Sequence, residues 1–544
     1  MTSLNRFTSA LSLRARAATG AALCALYWCV VPVMAQQTMP QATGATTRFA
    51  IVGFELTGDI PLSSEETTRA LAPFIGTQGT LETLQKATAA LEETLKDKGF
   101  AMHRVSLPPQ EIGKKITLDV VKFVIGKVTV EGNDAYSEAN IRASLPELRE
   151  GQAPNFKAMA VQTAIANENA GKQVQVSLKE SSEPDKIDVR VLVKETKPWS
   201  LSSSLSNTGS NATGNDRLSL VAAHSNLFGL DHQLSAAYTT SLERSNDVKQ
   251  LGLNYRVPLY RQGGVIGLSY TNSDVVGNFG TFTSSGAGQT FGLSYNHYLP
   301  PDGGRRTYWS VNLDEKLFNA SKVDGNAVQG ALDRGSRPIT LGYTARVEAD
   351  SSALNYNAEI SVNLPGSAGN NAEAYVTDDA RIRSVNWSAL RLGASYLASF
   401  GTGWLWNVRG QLQYTGDPLI AGEQFGLGGS TSVRGTGERV ISGDSGLAAT
   451  LELSTPELVP GLRVHGFVDA GWLSSNNTEL TSSGKLASDQ LASAGLGLRY
   501  NRGSLGLSAE WGRVVTGGVQ PANGNSSIPK SGDEKLHVNL TARF

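Results

Sequence analysis

Leu536-His537-Val538-Asn539-Leu540-Thr541-Ala542-Arg543-Phe544 closes the chain. Apolar and polar residues alternate in it without a break. That is the period of a strand with one face in an apolar medium and the other in water. A terminal aromatic at the end of such a strand has the form of a closing barrel strand that carries a membrane-insertion signal. Phe544 is assigned that role, with barrel assembly machinery as its expected partner.

Working back from the end, the same pattern recurs. Ile266-Gly267-Leu268-Ser269-Tyr270, Phe291-Gly292-Leu293-Ser294-Tyr295 and Leu505-Gly506-Leu507-Ser508-Ala509-Glu510-Trp511 are three clear cases. Their apolar sets end in Tyr or Trp, as the interfacial girdles of membrane barrels require. Sixteen segments of this kind are expected, starting near residues 198, 216, 232, 248, 264, 288, 305, 337, 353, 386, 403, 446, 463, 490, 504 and 535. Their connections segregate by length. Short ones, such as 260–263, 300–304 and 501–503, alternate with Ser/Gly/Asn/Thr-rich ones, such as 317–334, 364–384 and 416–445. Short turns on one side and long loops on the other mark an outer-membrane β-barrel of antiparallel strands. No run reaches the length of a transmembrane helix.

Composition divides the chain at Pro198. Residues 1–197 hold 12 glycines and 13 lysines; residues 198–544 hold 46 glycines, 6 lysines and seven of the eight tryptophans. The first part reads as a small α/β unit used twice. Copy one has a strand over 49–56 ending at Gly58, two helices, and strands near 101–107 and 115–123. The second helix carries Thr80 as N-cap and Leu84, Ala87, Leu91 and Leu95 on one face. Copy two repeats the order with a strand over 126–131, helices over 137–145 and 155–170, and strands over 174–179 and 187–195. Ahead of both lies a leader. Arg6, Arg14 and Arg16 precede an apolar stretch over 17–31, and Val33-Met34-Ala35 is a small-x-small cleavage site. The expected division is a signal peptide 1–35, a short segment 36–47, α/β units 48–123 and 124–197, and a barrel 198–544.

Several functions are excluded. Cys24 and Cys29 leave with the leader, so disulfides, thiol catalysis and Cys-bound zinc are not expected. The six histidines show no metal-ligand spacing, and a G-x-x-x-x-G-K phosphate loop is missing. With 48 basic and 49 acidic residues, nothing favours nucleic acid. Gly443-Asp444-Ser445-Gly446 has the look of a serine nucleophile but reads as a loop-to-strand turn. No catalytic residue, metal or cofactor is expected, and the chain is not read as an enzyme.

A barrel needs an internal feature to be more than a pore. Gly426-Leu427-Gly428-Gly429-Ser430-Thr431-Ser432-Val433-Arg434-Gly435-Thr436-Gly437 can fold tightly enough to enter a lumen and carries one arginine. In the strand near 463–472, Val464, Val468, Ala470 and Trp472 form the lipid set, which points His465, Phe467 and Asp469 inward. Two readings stay open on parity alone: a latch between Arg434 and Asp469, or two separate channel-lining charges.

Val433-Arg434-Gly435 in its loop, followed by Gly466-Phe467-Val468-Asp469-Ala470-Gly471, resembles the two C-terminal motifs of two-partner secretion transporters, the haemolysin secretion/activation type. Arg104-Val105-Ser106-Leu107-Pro108-Pro109-Gln110 and Lys194-Glu195-Thr196-Lys197-Pro198-Trp199 extend the likeness over nearly the whole mature chain. The resemblance implies a sixteen-stranded barrel behind two POTRA (polypeptide-transport-associated) domains in the periplasm of a Gram-negative cell. It implies that Arg434 pairs with Asp469, that Phe467 packs beside them, and that the POTRA units bind an unfolded secreted exoprotein. Docking is expected on the second unit, at Phe156, Val161 and Ile165 with the strand edge at Val174 and Val176, by strand addition. Thr436 stands where the family usually has an aromatic. The rival readings are a factor that inserts other barrels and a passive porin.

Overall fold

The computed structural model describes residues 48–544 apart from 112, 114, 211–212, 276, 280–281, 285, 321, 324–325, 328, 481–485 and 520–527. The expected leader and the segment 36–47 lie outside the described residues.

In the first α/β unit, Phe54–Gly58 pairs in parallel with Ile116–Lys122, which pairs antiparallel with His103–Ser106. Helices α1 (Ser64–Leu71) and α2 (Leu81–Asp97) cover one face, starting at the capping boxes of Ser63 and Thr80. Leu84, Leu91 and Leu95 meet Ile116 and Leu118 in the core. The expected strand over 49–56 is in fact two. Phe49–Ile51 pairs with Gly76–Gly79 outside the main sheet, and the chain breaks at Val52-Gly53 before joining it.

The second unit repeats the topology. Val124–Glu131 runs parallel to Lys186–Glu195, and Lys172–Glu180 pairs antiparallel on its other side, with α3 (Glu138–Ser144) and α4 (Phe156–Ala166) above. The sequence pattern extends α4 to residue 170, but it stops at Ala166. Asn167 turns the chain there: its side chain accepts from Val174 N–H at 2.6 Å and donates to Val174 C=O at 3.0 Å. The two units meet end to end. Asn155 caps α4 and donates to Lys98 C=O at 3.0 Å, while Phe156 N–H donates to Gly99 C=O at 2.8 Å.

Sixteen antiparallel strands then close a barrel. They are β1 (Trp199–Ser206), β2 (Arg217–Leu227), β3 (His232–Thr240), β4 (Lys249–Leu259), β5 (Gly264–Ser273), β6 (Gly288–Tyr298), β7 (Arg305–Phe318) and β8 (Pro338–Ala349, preceded by Arg334–Ser336). The second half runs β9 (Ser352–Asn363), β10 (Ser388–Phe400), β11 (Trp404–Tyr414), β12 (Ser445–Ser454), β13 (Leu462–Ser474), β14 (Ser488–Arg502), β15 (Leu505–Thr516) and β16 (Glu534–Arg543). Every start lies within two residues of the expected one. β16 returns to β1 with Leu540 opposite Leu205. Leu268, Phe291, Leu293, Val468, Leu496 and Trp511 project outward and are exposed, which suits lipid rather than water. Phe544 extends past β16, exposed, its N–H donating to Leu201 C=O.

Candidate functional site

The connection between β11 and β12 folds back into the barrel. Phe425–Leu427 and Ile441–Gly443 pair as a short hairpin, and the glycine-rich tip lies beyond it. Leu427, Val433, Val440 and Ile441 pack against Leu473, Leu491 and Val514 of the wall. Gly428 (φ +108°) and Gly435 (φ +91°) take the left-handed conformations that the turn demands.

This fold delivers Arg434, 1 % exposed, to β13. Its Nε and Nη2 donate to the two Asp469 oxygens at 2.8 and 2.9 Å, and its backbone N–H donates to the same carboxylate at 3.1 Å. Nη1 donates to Glu452 of β12 at 3.2 Å and to Glu510 of β15 at 3.3 Å. The guanidinium lies 3.4 Å from the centroid of the Phe467 ring, a cation–π stack. Arg499 of β14 pairs with both Glu452 and Glu510, and His465 Nε2 sits 3.2 Å from Glu510. Val433, Arg434, Gly435, Phe467 and Asp469 are thus brought together. Glu452, Arg499 and Glu510 complete the network, and their inward parity is legible beside the outward Leu451, Leu498 and Trp511. Glu452, His465 and Glu510 also place ligand atoms within 4.8 Å of one another. A cation there would have to displace Arg434 and Arg499 and strand the buried Arg434 charge, so the set reads as an ion-pair network.

Thr436 takes the place of an aromatic by stapling the tip. Its hydroxyl accepts from Gly429 N–H at 3.1 Å and donates to Val433 C=O at 2.8 Å. Gly443-Asp444-Ser445-Gly446 is structural. Asp444 pairs with the fully buried Arg381 from the β9–β10 loop at 2.7 Å, and Ser445 Oγ accepts from Thr415 N–H at 2.9 Å. The start of the β11–β12 connection borders a cavity of about 440 Å³, lined also by Asn312, Asp314, Lys316, Glu359 and Arg391.

The five residues expected to dock substrate do not share a surface. Val174 lies in the core of the second α/β unit, and Val176 packs against that core. Val161 and Ile165 face the barrel, in contact with Val265 of β5 and Tyr298 of β6. Phe156, at the start of α4, and Val176 are half-buried. The docking expectation is corrected for Val161 and Ile165, because the apolar face of α4 is used by the barrel rim. Among the described residues the strand edge itself has no strand partner. Since Val174 directs its amide and carbonyl outward to Asn167, ladder alternation turns those of Val176 and Leu178 outward too. In the first unit the matching edge is blunted, because Val105 N–H donates to Glu92 at 2.8 Å.

Polar contacts finish the joint. Lys172 Nζ lies 2.6 Å from Asp231 in the β2–β3 turn, with side chains 0 % and 2 % exposed. Asn140 accepts from Lys172 and donates to Gly229 C=O, and Tyr260 O–H donates to Asp231 at 2.7 Å. Burial pulls the Lys172 ammonium below its usual range, and Asp231 opposes that shift. Glu168 accepts from Arg256 at 3.0 Å and from Tyr298 O–H at 2.6 Å. Nothing in the local sequence of Lys172 or Asp231 marks them as partners 59 residues apart.

Comparison with known proteins agrees with this architecture. The outer membrane transporter CdiB of Escherichia coli is 23% identical over 450 residues, covering 80% of this chain and 75% of that protein. CdiB of Dickeya dadantii is 22% identical over 394 residues, covering 71% and 68%. The solved structure of CdiB from Escherichia coli superposes with a TM-score of 0.70 at 20% identity over 93% of both chains, and that from Acinetobacter baumannii with 0.66 at 17% over 91% and 90%. Residues 49–122 match the ShlB-type POTRA domain. Because the model of the haemolysin secretion/activation proteins matches residues 185–500, more than half the sequence, the chain belongs to the ShlB/FhaC/HecB family.

Proposed function

We propose that this outer-membrane transporter captures an unfolded partner exoprotein in the periplasm and exports it through its barrel, the division of labour of two-partner secretion. The barrel spans the outer membrane and the POTRA-type domains lie in the periplasm. The observation that carries the proposal is a closed barrel whose lumen holds a loop on a buried ion pair, with an α/β unit fixed at its periplasmic rim.

The parts take roles that follow from their chemistry. The exoprotein adds as a strand to the open edge at Val176 and Leu178, where free amides and carbonyls await a partner. Arg434 and Asp469 hold the loop in the resting lumen, and passage of the exoprotein requires the loop to yield beside the cavity near Asn312. Folding of the exoprotein outside supplies direction. Residues 1–35 act as the cleaved leader. Phe544 serves the barrel assembly machinery during insertion, and the outward apolar belt meets outer-membrane lipid. No chemical step is assigned to the chain.

Co-expression with a candidate partner exoprotein tests the proposal. Exoprotein should reach the medium with the intact transporter and stay in the periplasm with Asp469→Ala, while other outer-membrane barrels insert normally in both strains. A general loss of barrel insertion on deleting the gene would favour an insertion factor instead.

A further inference from the structure

The side chain of Arg434 is held by β12, β13 and β15, but its backbone has a second attachment that no motif marks. Gly512 of β15 lies directly beneath the loop tip. A methyl group on Gly512 would come 2.7 Å from Gly435 N and 2.8 Å from the Arg434 carbonyl carbon. Conversely, a methyl on Gly435 would come 2.8 Å from the carbonyl carbon and oxygen of Gly512. Each position meets main chain rather than a side chain that could swing away. Two backbones approach this closely only where neither carries a Cβ. On the neighbouring strand β16, His537 Nε2 accepts from Gly435 N–H at 3.2 Å.

We infer that Gly512 and His537 form the seat of the lumenal loop: positioning residues that fix the Arg434-Gly435 backbone so that the guanidinium meets Asp469 squarely. The inference rests on the latch reading of Arg434 and adds residues to it. An added methyl at Gly512 falls roughly 0.7 Å or more short of ordinary van der Waals contact. A functional constellation tolerates about 0.5 Å. Ala at position 512 therefore lifts the tip off the wall and spoils the two-point pairing without touching a charged group. Loss of the His537 acceptor leaves a buried N–H unpaired and acts in the same direction.

Accessibility of the tip tests this. Ser432 Oγ is buried without a partner, so Ser432→Cys in the full-length transporter reports unseating by its rate of maleimide labelling. Labelling is read only in the heat-modifiable, folded fraction, which separates seating from insertion. In that background Gly512→Ala and His537→Leu should each label about tenfold faster or more. His537→Gln, which keeps an acceptor, should stay near the reference. Gly410→Ala should also be unchanged, since a methyl there meets nothing within 4 Å. If Gly512→Ala fails to insert, His537→Leu against His537→Gln carries the test. Fast labelling in Arg434→Ala with reference labelling in both seat variants would overturn the seat and spare the latch. Reference labelling in Arg434→Ala as well would overturn the latch reading itself.

Discussion

Replacing Lys172 by Met keeps the length of the side chain and removes the charge that holds the second POTRA-type domain to the barrel. Asp231 would be left 1 % exposed, with one carboxylate oxygen already lacking a partner and the other bonded only by Tyr260. Breaking one side of a buried ion pair costs about 3–5 kcal/mol, because the remaining charge has lost its solvent as well as its partner. At about 1.4 kcal/mol per power of ten, docking weakens by roughly two to three and a half powers of ten. Hydrogen exchange reads such local opening directly. Gly229, Leu230 and Asp231 amides, bonded within the β2–β3 turn under Asn140, should exchange faster by that factor in Lys172→Met. Lys172→Met/Asp231→Asn removes both charges, keeps a residue that tolerates the φ of +60° at position 231 and keeps Tyr260 as a partner, and should regain much of the protection. Wild-type exchange in the single variant would refute the reasoning, as would a double variant no better protected than the single.

Three further outcomes are expected. Arg434→Ala and Asp469→Ala should each impair export in a barrel that still inserts. Arg434→Lys should not restore it, because a point charge cannot span both Asp469 oxygens; secretion assays with heat-modifiable electrophoresis check both. Leu178→Pro removes an outward amide from the open edge at a half-exposed position and should weaken capture of the exoprotein several-fold in a pull-down, with the domain still folded by circular dichroism. Deletion of Phe544, which is exposed and donates its backbone N–H to Leu201 C=O, should lower the amount of folded barrel in the outer membrane with little change in the stability of what does insert.

Period-two alternation made the barrel readable. An outer wall that meets lipid and an inner wall that meets water force one residue type per face, and that constraint runs through Ile266–Tyr270 and Leu536–Phe544 alike. The same parity turned Asp469 inward and, applied to Leu451 and Trp511, would have turned Glu452 and Glu510 inward too. What stayed hidden depends on contacts between distant segments. α4 shows an apolar face at Val161 and Ile165, and sequence cannot say whether that face meets a substrate or the rim at Val265 and Tyr298. Lys172 looks like any strand lysine until Asp231 is beside it. Gly512 is one glycine among many, and its role appears only when the loop backbone lies against it. Thr436 likewise reads as a departure until its hydroxyl is seen closing the tip.

The most direct measurement places the chain and a partner exoprotein in a cell that otherwise lacks both, with the exoprotein followed in periplasm, surface and medium. The account requires exoprotein outside only when the transporter is present, and its retention in the periplasm when Arg434 is replaced by Ala in an inserted barrel. Equal secretion with and without the transporter would contradict it.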